Sequence, residues 1–384
     1  MQRPLLLLAA LMMGLGGLPA CSNGETGGGG EGAGEAGGGG DDTSPKLPRL
    51  DAGWTELMPE GTICGRGDPY SFWVRPGTTN RLIIEFVGGG ACWDQLTCQL
   101  SAALFTDDVR HVRDTVEADT QTGFFNQVSS LNPFRDYYHV LITYCTGDIH
   151  WGDATVTYGT GADAFTIHHR GANNARAALA WVYDQFSGPE TILVAGTSAG
   201  SYGAALWSAD IMRHYPASKI YQFGDSGVGI ITESFFRDSF PSWNAEPAFP
   251  AFIPELDPAA IDVQSLTMAD IYVAVADHFP EHRLSQFTAA HDAVQVGYFV
   301  LMGGAGVEAW ESEMLASLGD IEARTSNFWS FVAPGEQHGI TWVDNFYSVH
   351  SGGVRLLDWI EDFIGDRSMA SARCQGSECD MPTP

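Results

Sequence analysis

The sequence predicts an α/β fold, with a mostly parallel central sheet and helices on both of its faces. Two observations carry this expectation. Short apolar, β-branched runs alternate with stretches of three- and four-residue hydrophobic spacing, the order that lays crossover helices over parallel strands. The distinctive glycines, serine and acids stand just after those runs, where open α/β sheets place their sites.

Taken in order, the strand candidates are 70–74, 81–87, 138–144, 191–195, 219–223, 284–288 and 328–332. A helix is expected over 172–186, where Ala175, Leu179, Val182 and Phe186 share one stripe. The alanine-rich 201–215 is a second. Residues 354–364, with Leu357, Ile360 and Ile364 on one face, form a third. Residues 228–282 break the rhythm, since Pro241, Pro247, Pro250, Pro254 and Pro258 punctuate an aromatic stretch. That segment reads as a cap inserted over the sheet edge of one domain spanning 50–384.

The N-terminus reads as a targeting segment. Arg3 precedes a short apolar run, and Leu18-Pro19-Ala20-Cys21 matches the lipobox pattern of bacterial lipoproteins. Residues 1–20 are therefore expected to be a signal peptide, with Cys21 lipidated. Gly14, Gly16 and Gly17 interrupt the run, which argues against a spanning helix. Residues 21–49 read as a flexible glycine-rich linker with a reach of roughly 25–30 Å. The expected location is outside the cell, anchored by lipid to the bacterial envelope.

Of 384 residues 44% are hydrophobic, enough for a large core. The 47 acidic against 19 basic residues give a net charge of −28, a surface that repels nucleic acid. A monomer that meets the membrane only through its anchor is expected. Beside Cys21 stand Cys64, Cys92, Cys98, Cys145, Cys374 and Cys379, an even set suited to disulfides in an exported chain. Cys92–Cys98 and Cys374–Cys379 are close enough for local loops, and Cys64–Cys145 is left by elimination. Other pairings remain open at this level. No Cys-x-x-Cys pair suggests zinc.

The chemistry centres on TILVAGTSAGSYGAALW, residues 191–207. Ser198 stands between an apolar run and a helix, with small neighbours that suit a sharp, strained turn exposing a nucleophile. Gly88, Gly89 and Gly90 follow the strand at 81–87; with Ala199, Gly89 and Gly90 offer backbone N–H groups for an oxyanion hole. A base and an orienting acid should follow the serine in the order acid, then histidine. Two acids, Asp225 and Asp292, follow later strands, and position does not separate them. His338, in a Pro-Gly loop at a strand exit, is preferred to His350, which precedes the last helix. His168–His169 and His278–His282 lack a metal motif, and no metal or cofactor is expected. Trp93 and Trp151, near the glycine turn and Cys145, are candidates to stack on a sugar ring.

Several stretches resemble the pectin acetylesterase family, which includes Notum. They are CGRGDPYSFWV from Cys64, VGGGACWDQLTC from Val87, YCTGDIHWGD from Tyr144, HHRGANNA from His168 and AGTSAGSYGA from Ala195. FGDSG from Phe223, HDAVQ from His291 and QHGITWVDNFY from Gln337 complete the set. The resemblance implies an α/β-hydrolase fold with Ser198 as nucleophile, His338 as base and Asp292 as acid. Asp225 then becomes structural, and a Cys92–Cys98 bond would stiffen the oxyanion loop. Ser201 departs from the pattern, which often has glycine there. The expected activity is that of a serine carboxylesterase removing short acyl groups, acetyl above all, from extracellular carbohydrate or related esters. The alternatives are a lipase-like deacylase for longer chains and a non-catalytic surface lipoprotein that binds a ligand on the same fold.

Overall fold

A computed structural model describes residues 46–100 and 103–382. The expectations for the signal segment, Cys21 and the linker up to residue 45 lie outside the described residues. The strands, in chain order, are β1 (Thr55–Leu57), β2 (Phe72–Arg75), β3 (Arg81–Phe86), β4 (Tyr138–Ile142), β5 (Ala154–Tyr158), β6 (Phe165–His169) and β7 (Thr191–Thr197). After them come β8 (Lys219–Asp225), β9 (Arg283–Ala289), β10 (Phe328–Ala333), β11 (His350–Ser351), β12 (Val354–Arg355) and β13 (Ala372–Arg373). The helices are α1 (Gln95–Gln99), α2 (Arg110–Glu117), α3 (Gly171–Gln185), α4 (Ala199–His214), α5 (Glu233–Trp243), α6 (Met268–His278), α7 (Ala293–Leu301), α8 (Val307–Arg324) and α9 (Leu356–Ile364).

Nine strands form one sheet in the order β1-β2-β4-β3-β7-β8-β9-β10-β13. From β4 to β13 neighbouring strands run parallel, and β1 and β2 add an antiparallel edge. The central strands are apolar on both faces because both are covered. Leu82, Ile84, Ile192 and Val194 point into one core, with α3, α4, α6 and α8. Ile83, Leu193, Phe223 and Phe331 point into the other, beneath α9. The period-two alternation of strand side chains feeds both layers from the same sequence.

After β3 the chain runs out to β4, then returns to place β7 on the other side of β3. Winding that reverses in this way opens a crevice at the carboxyl ends of β3 and β7. Gly88–Gly90 and Ser198 both fall there.

The segment expected as a cap, 228–282, is not uniform in structure. Helix α5 and short turns run to residue 267, but α6 buries Met268, Ile271, Tyr272 and Val275. It is a crossover helix between β8 and β9. Its start is set by a capping box, in which Thr267 and Asp270 satisfy each other's backbone N–H groups. Helices α7 and α8 and the β5–β6 hairpin also lie outside the elements expected from sequence. Disulfides join Cys64–Cys145, Cys92–Cys98 and Cys374–Cys379.

Candidate active site

Ser198 occupies a strained elbow. β7 ends at Thr197, α4 begins at Ala199, and Ser198 between them has φ 57° and ψ −123°. A residue with a Cβ pays to hold such a conformation, and structures keep it where function requires it. The surroundings enforce the bend. Ser198 N–H donates to Asp225 O at 2.8 Å, and Ser201 N–H donates to Ser198 O at 2.9 Å. Gly200 is required because a Cβ there would run into the Phe86 carbonyl at the end of β3. Ser201 is buried, with its hydroxyl 3.2 Å from Gly227 O, so the departure from glycine is accommodated by a hydrogen bond.

The glycine turn after β3 approaches this elbow. Gly90 has φ 73°, and a Cβ there would collide with the Leu104 carbonyl. Ala91 N–H donates to Leu104 O at 3.2 Å and Thr106 N–H to Gly89 O at 2.8 Å, so the bridge fixing the turn leaves the Gly90 N–H outside its ladder. Gly90 and Ala199 line one cavity with Ser198, whereas Gly89 is set back from it. Of the three expected oxyanion donors, the structure brings together Gly90 and Ala199. Cys92–Cys98 closes the segment that follows, and Trp243 Nε1 donates to Cys92 O at 2.8 Å.

His338 lies in the loop after β10 and lines the same cavity as Ser198. Its Nδ1 is 2.9 Å from both carboxylate oxygens of Asp292. With Nδ1–H donated there, Nε2 is the free acceptor nitrogen. Asp292 is fully buried as the N-cap of α7. Its Oδ1 accepts from Val294 N at 3.1 Å and Gln295 N at 3.0 Å, and its Oδ2 from Gln295 Nε2 at 2.9 Å. The carboxylate is thus solvated by protein donors, which offsets the cost of its burial. Burial alone would lower the His338 pKa, but the Asp292 charge and hydrogen bond, with the charge of Asp225, raise it above the ordinary histidine value. The two loops are laced together: His291 N–H donates to Gly335 O at 2.9 Å and Ala293 N–H to Glu336 O at 3.1 Å. Gly335 N–H donates to Cys379 O at 2.9 Å, so the Cys374–Cys379 loop braces the histidine loop from behind.

Asp225 sits apart from His338 Nδ1. Its Oδ2 accepts from Ile340 N at 2.8 Å, Thr341 N at 3.0 Å, and the Thr341 and Thr197 hydroxyls at 3.1 Å each. It therefore pins the chain beyond His338 to the strand that carries Ser198. Burial raises its pKa. His350 is exposed and donates to or accepts from nothing in the cavity, its Nδ1 lying 2.6 Å from Ser348 O.

The two tryptophans separate. Trp93 is half-buried, lines the cavity and meets Phe235 edge-on at 4.9 Å. Trp151 corrects the expectation for it: it is fully buried, with Nε1 donating to Tyr202 O at 3.1 Å and its ring packed against Phe236, Phe240 and Phe249. It has no face to offer a sugar. Sequence reasoning missed Gln295 and Tyr298, which line the cavity. The signal was their spacing, three and six residues after Asp292, which places them on the same face of a helix starting there. Cys92, Cys98 and His169 come within ligand distance of one another, but the sulfurs are bonded together. The His169 nitrogens face Thr146 O at 2.9 Å and Tyr158 Oη at 3.0 Å.

The strand order, with a serine elbow at the switch point and the histidine loop two strands beyond β8, defines an α/β hydrolase. The sequence of residues 55–241 matches the pectinacetylesterase family. The structure is similar to that of the Wnt deacylase Notum from Drosophila, at 16% identity and a TM-score of 0.62, covering 84% of this chain and 97% of that one. A second crystal form of the same Notum gives 16% identity and a TM-score of 0.58, covering 85% and 98%. No curated protein matches the chain. The family match places residues 55–241 with the pectinacetylesterases, and the chain is a carboxylic ester hydrolase. The family and the disulfides fit an extracellular protein. Among the described residues no helix is long and apolar enough to cross a membrane.

Proposed function

We propose that this chain is a serine esterase that removes acetyl and other short acyl groups from an extracellular carbohydrate, using Ser198, His338 and Asp292. His338 Nε2 takes the Ser198 Oγ proton as Oγ attacks the ester carbonyl carbon. The resulting oxyanion is met by the N–H groups of Gly90 and Ala199, and His338 returns the proton to the departing alcohol. Water, deprotonated by His338, then attacks the acyl-serine and frees the acid and Ser198. Asp292 holds the imidazole tautomer and stabilises the imidazolium.

The observation that carries the reading is the size and lining of the cavity shared by Ser198 and His338. Its volume is about 60 Å³, walled by Trp93, Ile149, Ile230, Phe235, Tyr298 and Trp310. An apolar cavity of about 150 Å³ takes a benzene ring. A smaller one suits acetyl. The net charge of −28 disfavours bare polygalacturonate and favours a neutral acetylated glycan. The apolar walls also support a second reading, deacylation of a longer chain, which requires the Ile230 wall to move.

Beyond the site, the lipobox at Leu18–Cys21 supports export and lipid anchoring at Cys21, with the linker holding the domain just off the envelope. Hydrolysis of p-nitrophenyl acetate by the parent and by Ser198→Ala tests the esterase reading, and an acyl series from acetate to laurate tests the length. Turnover confined to the parent and falling with chain length is expected. Equal background in both folded proteins, or a preference for laurate, would overturn the corresponding half.

A further inference from the structure

A second, larger cavity shares a wall with the first. Its volume is about 620 Å³, and Ile230 and Ile231 line both cavities. Helix α8 also runs from one to the other: Trp310 faces the small cavity, while Glu313 and Ser317 face the large one. Those positions, spaced by three and four residues, lie on one helix face, and the seven steps from Trp310 to Ser317 cover about 10 Å along the axis. The opposite wall comes from the loop carrying Asp262, Gln264 and Leu266.

The two linings differ in chemistry. Around the small cavity the walls are mostly aromatic and aliphatic. The large one mixes the apolar Leu266 and Phe236 with the polar Gln264, Glu313 and Ser317. A long acyl chain gains nothing from such groups, and burying them against it would cost their hydration. A sugar ring, with C–H faces and outward hydroxyls, matches both parts of the lining. The charges narrow the choice. Asp262 and Glu313 are acidic, and Arg237 already faces Asp238 at 3.7 Å. A uronate would meet repulsion there.

We infer that the large cavity is the subsite for the alcohol side of the substrate, holding neutral glycosyl units beyond the one that carries the acyl group. This rests on the esterase reading and adds to it where the glycan sits. The small cavity then selects the acyl group, the large one selects the sugar, and Ile230–Ile231 is the partition between them.

The test compares two substrates on the full chain: p-nitrophenyl acetate, and a partly O-acetylated neutral xylotetraose. Ser317→Trp fills the large cavity from α8 and leaves Ser198, His338 and the small cavity untouched. It should raise KM for the acetylated xylotetraose about tenfold or more, the scale set by losing a few hydrogen bonds and ring contacts. Kinetics on p-nitrophenyl acetate should stay at the parental level, which also reports an intact fold. Glu313→Gln, a milder change, should keep the xylotetraose activity and let an acetylated oligogalacturonate bind better than it does to the parent. Unchanged xylotetraose kinetics in Ser317→Trp, with both proteins active on the small ester, would overturn the subsite alone. A parent no more active than Ser198→Ala on the small ester would remove the esterase reading, and this one with it.

Discussion

Strands β8 and β9 lie side by side, and each leads to a fully buried aspartate, Asp225 at the end of β8 and Asp292 just beyond β9. Both carboxylates gather donors from backbone and side chain. Those around Asp225 come from Ile340, Thr341 and Thr197, so it joins the chain after His338 to the strand that leads into Ser198. Those around Asp292 come from its own helix, leaving one direction open, and His338 Nδ1 fills it. Equal burial and similar sequence position thus yield one strut and one partner for His338. What distinguishes them is which way the histidine loop turns as it leaves β10.

The contrast predicts unequal consequences for the same substitution. Asp292→Asn keeps the shape but presents an amide to Nδ1, favouring the wrong tautomer, and should lower kcat by roughly 10⁴-fold with KM little changed. A loss no greater than that of Asp225→Asn would erase the distinction between the two carboxylates. For Asp225→Asn the main effect should fall on stability, about 1–3 kcal/mol from disturbing a buried, multiply bonded acceptor, read by urea denaturation.

Gln295 links the two regions: its Nε2 donates to Asp292 Oδ2 at 2.9 Å, and its Oε1 accepts from Val228 N at 3.0 Å, just beyond Asp225. Gln295→Leu should cost about tenfold in kcat, the scale of one hydrogen bond to a charged group. It should leave the urea midpoint less affected than Asp225→Asn does.

The smallest expected effect is on pH dependence. His338 must be neutral to act as base, and its pKa is raised, so the acid limb of kcat/KM should lie above the ordinary value of 6.5. Because the charge of Asp225 contributes to that rise, Asp225→Asn should move the limb downward, and a limb that stays in place would show the two sites to be electrostatically separate. Stability should respond to pH elsewhere. Burial lowers His150 and His169 to about 4, so the folded state binds fewer protons than the unfolded chain between pH 4 and 6.5. Their contribution is full above 6.5 and is lost as pH falls towards 4. Asp148, raised to about 6 by burial, acts in the opposite sense, stabilising more below about pH 4 and less as pH rises through 6. A melting temperature that falls between pH 7 and pH 4, less steeply than the two histidines alone would dictate, is the expected record.

Much of this molecule was legible in the order of its residues. Short continuous apolar runs placed β3, β4 and β7–β10, since a strand covered on both faces is apolar nearly throughout. Small residues around Ser198 marked the elbow, because only they allow α4 to start against the end of β3. Other features were hidden by local context. Helix α6 lay behind a run of prolines, although the Thr267–Asp270 capping box marked its start. Trp151 looked like a ligand platform from its neighbours, and only packing against Phe236, Phe240 and Phe249 shows it to be core.

By itself, then, the sequence determined the class of fold, the candidate nucleophile and the short list of its partners. Those depend on local backbone geometry and on periodicity, which neighbouring residues encode. Tertiary structure decided which aspartate faces His338, that Gly90 rather than Gly89 reaches the cavity, and that Ile230 and Ile231 stand between two cavities of unlike chemistry. Each of these turns on the relative placement of loops far apart in the chain. Such placement is set by the sheet's winding and by hydrogen bonds across long sequence separations, which no local pattern records.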